Sequence, residues 1–168
     1  MVVHTYQVIG AVRQALLLTE EGENAQNGFV ITGDLAFLDR YRARKKLVPA
    51  TLSDLDRLLV RNQKQQTRLI RLRRLLDEKF SEFDVAIQAR STQGFEAAQV
   101  LIKNQERRRE TDSIRALASE MDSLEEQLLK ERADHVAASE RRILLVGAAT
   151  ATLSVAVRIY LAMRATRA

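Results

Sequence analysis

LSDLDRLLVRNQKQQTRLIRLRRLLDEKFSEFDVAI, residues 52–87, repeats one pattern over its whole length. Its stripe is Leu52, Leu55, Leu59, Asn62, Gln66, Leu69, Leu72, Leu76, Phe80, Phe83 and Ile87, mostly three or four apart, the spacing of one helical face. No Pro or Gly lies between Thr51 and Ser91, so the spacing allows one very long helix or two joined near Asn62. Asn62 and Gln66 interrupt the apolar stripe and are expected to form a polar layer in a bundle core. Such a layer either fixes register or marks a turn.

On the N-terminal side, Val8, Val12, Ala15 and Thr19 share another helical stripe. That helix either stops at Gly22 or runs on to Ile31 through the polar stretch Glu20-Glu21-Gly22-Glu23-Asn24. Thr32-Gly33-Asp34 is a firm break, because Gly suits the position after a helix and Asp caps the next. A second helix is expected from Leu35 through Phe37, Leu38, Tyr41 and Leu47, with a kink or a fresh first turn at Pro49.

On the C-terminal side, Ser91-Thr92-Gln93-Gly94 is the next break. A last helix follows from Phe95, with Ile114, Leu117, Met121, Leu124 and Leu128 in a 3-4-3-4 repeat. No helix stop appears between Arg115 and Met163. The fold class expected is therefore all-α, an antiparallel four-helix bundle whose last helix continues into a C-terminal transmembrane helix. The bundle would occupy residues 1–140, and the transmembrane helix with a short basic tail residues 141–168.

Charge supports that division. The formal +5 belongs to Arg141, Arg142, Arg158, Arg164 and Arg167, since no acid follows Glu140. Between Ile143 and Met163 the only charge is Arg158, which can snorkel to an interface beside Tyr160. Gly147, Ala151 and Ser154 stack on one face of that segment and would let a second membrane helix approach. Basic residues flank both ends, so the positive-inside rule does not settle orientation.

Composition excludes several functions. The chain has no Cys, hence no disulfide, thiolate metal site or thiol nucleophile. His4 and His135 lack any metal-ligand spacing, and no metal or cofactor is expected. The runs Arg40-Tyr41-Arg42-Ala43-Arg44-Lys45-Lys46 and Arg107-Arg108-Arg109 read as solvated faces balanced by acids, and nucleic acid is not expected as a partner. No nucleophile–base pair, paired carboxylates or phosphate-binding Gly loop stands out, so no catalytic residues are assigned and the chain is not read as an enzyme.

Several motifs occur together. His4-Thr5 opens the first helix. Glu23-Asn24-Ala25-Gln26-Asn27-Gly28-Phe29-Val30-Ile31-Thr32-Gly33-Asp34 is followed by Phe37, Leu38 and Tyr41. Arg61-Asn62-Gln63-Lys64-Gln65 sits mid-chain, and Asp112, Ile114, Arg115, Met121, Glu125, Glu126, Leu128, Leu129 and Arg132 close the pattern. From His4 to Arg132 the chain resembles the third class of CHASE extracytoplasmic sensory domains of bacterial receptors. Asn27 stands where that pattern has Arg, Gln63 stands where it has Pro, and the family's first membrane helix would precede His4.

The resemblance implies a four-helix bundle outside the cytoplasmic membrane, feeding a histidine kinase or related output in a two-component system. It implies a fragment lacking the first span and the output domain, or a start placed too late. The expected partners are the lipid bilayer and a second copy of the chain in a homodimer. The expected mechanism is helix movement: a stimulus alters packing at the Asn62/Gln66 layer or at a dimer seam, and the Ile114–Leu128 helix carries it onward. The competing expectation is a tail-anchored cytoplasmic adaptor or scaffold without a sensing role.

Overall fold

A computed structural model describes residues 2–103, 111–131, 133–135, 145 and 150. The chain divides into two units, Met1–Glu126 and Gln127–Ala168. The first contains α1 (Val2–Thr32), α2 (Leu35–Leu59), α3 (Gln63–Gln93) and α4 (Phe95–Ile102). Residues 111–126 are helical again and are called α5. In the second unit, residues 127–131 and 133–135 are helical. Among the described residues there is no strand, so Phe29-Val30-Ile31-Thr32 is the end of a helix.

α1 does not stop at Gly22. Glycine weakens a helix by about 1 kcal/mol relative to Ala, but here the missing side chain is filled from α3. A Cβ on Gly22 would stand 3.2 Å from the Phe80 ring. Val8, Val12, Ala15 and Thr19 are all buried, and the Thr19 hydroxyl donates to Ala15 O at 2.9 Å, which satisfies it in an apolar seam. Gly33, at φ 74°, ends α1. The Asp34 side chain then accepts from Ala36 N at 2.8 Å and opens α2. α2 is continuous through Pro49. Gly94, at φ 94°, separates α3 from α4.

The α2–α3 connection corrects one expectation. Val60, Arg61 and Asn62 interrupt the helix, and Asn62 is the N-cap of α3, its side chain accepting from Gln65 N at 3.2 Å. Gln66 lies beside it and donates from Nε2 to Val60 O at 3.1 Å. Neither residue forms a core layer. The turn shifts the stripe by one position, so the core face runs from Leu59 to Gln65 and then Leu69.

Contacts between side chains give the topology. Glu21 meets Arg44, and Tyr41 meets Asp84 while Asp56 meets Arg73, so α2 runs antiparallel to both α1 and α3. Glu20 meets Arg115 while Arg13 meets Asp122, and Arg68 meets Glu120, so α5 is antiparallel to α1 and crosses beside α3. The result is a four-column helical bundle. One apolar core joins Val8, Val12, Leu18, Leu55, Leu72, Leu76, Phe83, Ile114 and Met121 among others. Each fully buried side chain of this kind contributes about 1.5–3 kcal/mol. Tyr41, Phe80 and Phe83 pack edge-on and stacked, with centroids 5.4 to 6.1 Å apart. A smaller cluster of Val30, Ala86, Ala89 and Ala98 seats α4.

No helix among the described residues is long and apolar enough to cross a membrane. Of the expected span, 143–163, only Leu145 and Thr150 are among the described residues; Gly147, Ala151 and Ser154 lie outside them.

Candidate functional site

Four consecutive residues of α1, Glu20-Glu21-Gly22-Glu23, reach every other column of the bundle. Four positions cover a little more than one helical turn, so three carboxylates fan out in three directions. Glu20 Oε1 accepts from the Arg115 guanidinium of α5 at 3.0 Å. Glu21 pairs with Arg44 of α2 at 2.6 Å. Glu23 takes Lys79 of α3 at 3.4 Å on one oxygen and the Thr111 hydroxyl of α5 at 3.2 Å on the other.

Lys79 is the unusual member. Its side chain is fully buried, and its ammonium lies 5.1 Å from the centre of the Phe83 ring. A buried ammonium requires partners, and the Glu23 carboxylate and the face of the Phe83 ring both lie against it. Gln26, three positions on along α1, is 2% exposed, and its Nε2 has no hydrogen-bond partner among the described residues. The Tyr41 hydroxyl donates to Asp84 at 2.8 Å, and Asp84 also holds Lys45. Burial first, then the hydrogen bond and charge of Asp84, push the Tyr41 phenol well above its ordinary value.

α5 is fastened through such polar contacts as well as through its core residues. Beyond Arg115 and Thr111, Asp122 accepts from Arg13 at 2.8 Å, and Glu120 pairs with Arg68 at 2.7 Å. Gln65, buried at the start of α3, donates to Met121 O and to the buried Glu125 carboxylate, each at 3.1 Å. Hydrogen bonds to Asp122 and Glu20 raise the guanidinium values of Arg13 and Arg115 respectively, so neither acts as a proton switch. An exposed pair contributes about 0–1 kcal/mol. α5 is thus held by several polar bonds around an apolar seam of Ile114, Leu117 and Met121.

The motif residues serve mainly as structure. Gly28 gives Phe37 room: a Cβ there would stand 2.5 Å from the ring's Cε1. The Thr32 hydroxyl donates to Gly28 O at 2.7 Å and accepts from Asp34 N at 3.1 Å, shaping the turn with Gly33 and Asp34. Thr5 is buried and His4 exposed. Glu126 is exposed and 3.8 Å from Arg13. Arg132 lies outside the described residues, as do Arg107, Arg108 and Arg109. The basic run of α2 is compensated in place: Arg42 with Asp39, Arg44 with Glu21, Lys45 with Asp84. Reading the sequence missed Lys79 and Gln65. Lys79 falls in phase with Leu72, Leu76 and Phe83, and that register was the available signal.

Two cavities open between α1 and α2. One, of about 490 Å³, is lined by His4, Gln7, Ala11, Asp54, Arg57 and Leu58. The other, of about 410 Å³, lies against Glu21 and is lined also by Asn24, Ala25, Phe37, Arg40 and Arg44. Among the described residues no three His, Asp or Glu side chains converge on a metal-sized site.

Residues 1–135 match the CHASE3 domain family. The fold resembles the crystal structure of the Rhodopseudomonas palustris histidine kinase HK9 sensor domain, with a TM-score of 0.70 and 21% identity, over 75% of this chain and 98% of that one. At that identity the likeness is one of fold. No curated protein matches.

Proposed function

We propose, from the premise that this chain belongs to the CHASE3 family, that its bundle is the sensory input module of a bacterial membrane receptor and transmits by movement of α5. The family supplies the sensory role. The observation that carries the mechanism is the carboxylate turn at residues 20–23, which ties α1 to α2, α3 and α5 at once. A stimulus that loosens one of these ties changes what holds α5. A small displacement of a packed helix is then a change of register between discrete arrangements, a known mode of coupling.

In this reading the bundle faces the outer side of the cytoplasmic membrane. Two copies pair in the bilayer, the 143–163 segment spans it, and a kinase or related output receives the shift. The bundle binds or responds, and the chemistry belongs to the output.

Because the chain has no Cys, a single introduced thiol reports topology without background. Ser123→Cys places it at an exposed position of α5. A membrane-impermeant maleimide applied to intact spheroplasts is expected to label it. Labelling only after lysis would put the bundle in the cytoplasm and favour the scaffold role instead.

A further inference from the structure

The cleft beside Glu21 has the chemistry of an anion site. Its floor is apolar, formed by Ala25 and the Phe37 ring. It is lined by two arginines one helical turn apart on α2, Arg40 and Arg44, and by Asn24 of α1. One carboxylate lines it, Glu21, and that is engaged by Arg44 Nε. Arg40 has no acidic partner among the described residues; its guanidinium rests 5.3 Å above the Phe37 ring. An arginine stacked on an aromatic face keeps its outer N–H groups for a ligand and presents them in a fixed plane. Arg44 likewise retains its terminal N–H groups beyond the bond to Glu21. The volume, about 410 Å³, falls within the range of small-molecule sites.

We infer that this cleft binds a small organic anion, a carboxylate carried on a flat apolar body. The carboxylate takes Arg40 and the free edge of Arg44, with Asn24 as a further donor, and the apolar body lies on Ala25 and Phe37. The arginine fork matches a carboxylate in two parallel bonds, which a neutral molecule of the same shape cannot make.

Occupancy reaches the rest of the bundle through Glu21. A ligand carboxylate at Arg44 competes with the Glu21 carboxylate and adds negative charge beside it. Glu21 is then weakened as a tie between α1 and α2. Its neighbours Glu20 and Glu23 are the groups that hold Arg115 and Thr111 of α5. This coupling rests on the sensory reading given above; the binding itself does not.

The test is isothermal titration of the full 168-residue chain with sodium benzoate, and in parallel with benzamide and inorganic phosphate. Benzoate is expected to bind, benzamide to give no saturable heat, and phosphate to bind at least about tenfold more weakly for want of the apolar floor. Arg40→Ala, at an exposed position that leaves the fold intact by circular dichroism, is expected to weaken benzoate about tenfold or more. Glu21→Gln, which frees Arg44 and removes a like charge, is expected to strengthen it. No saturable benzoate binding, equal binding of benzamide or phosphate, or an affinity indifferent to Arg40→Ala would each overturn the site. Benzoate binding that leaves the output of a kinase fusion unchanged would retain the site and sink the sensory coupling.

Discussion

The Nζ of Lys79, fully buried on α3, stands 3.4 Å from Glu23 Oε1 on α1. Removing the carboxylate takes one partner away from a buried ammonium. Glu23→Ala is expected to lower the unfolding free energy by about 2 kcal/mol, less than the ~3–5 kcal/mol for a fully buried pair, because Glu23 retains partial exposure. Adding Lys79→Met is expected to recover most of that loss, since an apolar chain of similar length requires no partner. Urea denaturation of the three proteins checks both steps. A double variant no more stable than Glu23→Ala would show that the pair does not carry the energy assigned to it.

Two glycines of α1 are expected to respond in opposite directions. At Gly10 a Cβ would meet nothing within 4 Å, so Gly10→Ala should stabilise by about 0.5–1 kcal/mol through helix propensity alone. At Gly28 the same methyl would run into the Phe37 ring, and displacing that ring should destabilise by about 1–3 kcal/mol despite the propensity gain. Thermal unfolding reads both. A stabilising Gly28→Ala would mean that Phe37 does not lie against the α1 backbone.

Alkaline pH should expose the Tyr41–Asp84 bond. The phenol is raised in the folded state, first by burial and then by Asp84, above its unfolded value of about 10. The protonated hydroxyl is therefore favoured by folding. Its stabilisation is present in full below about pH 10 and is lost as pH rises from there toward the folded value, by up to ~1.4 kcal/mol per unit. Below pH 10, Tyr41→Phe should be less stable than the parent by about 1–2 kcal/mol. Above it, that gap should narrow. Urea denaturation at pH 8, 9, 10 and 10.5 makes the comparison, and a gap that stays constant or widens would contradict it.

Much of the bundle was legible from residue spacing. The stripes Val8–Thr19 and Leu69–Phe83 are core faces, and Gly33 and Gly94, both at positive φ, break the helices where expected. Asn62 and Gln66 were misplaced for a definite reason. A turn built without Pro or Gly leaves the three-and-four spacing unbroken on paper, yet the chain leaves the helix at Val60–Asn62, and Gln65, four positions before Leu69, enters the core in place of Gln66. The carboxylate turn was visible only as a polar stretch. What makes it a site is the set of cations opposite, which lie 23 to 95 positions away and which no local pattern connects to it. Lys79 shows the same limit. A lone lysine in an apolar register becomes informative only once Glu23 and Phe83 are found around it.

The claim that α5 moves against α1 meets its most direct test at Arg13 and Asp122, paired at 2.8 Å across the two helices and outside the carboxylate turn. With the chain joined after Ala168 to a histidine-kinase transmitter, autophosphorylation in membranes is measured for Arg13→Asp, Asp122→Arg and the double exchange. Each single change places like charges across the seam and is expected to shift output at least about fivefold, the low end of coupling between sites. The double exchange restores opposite charges and should return output to near the parent level. Output unchanged in both single variants, with folding intact by circular dichroism, would contradict transmission through α5.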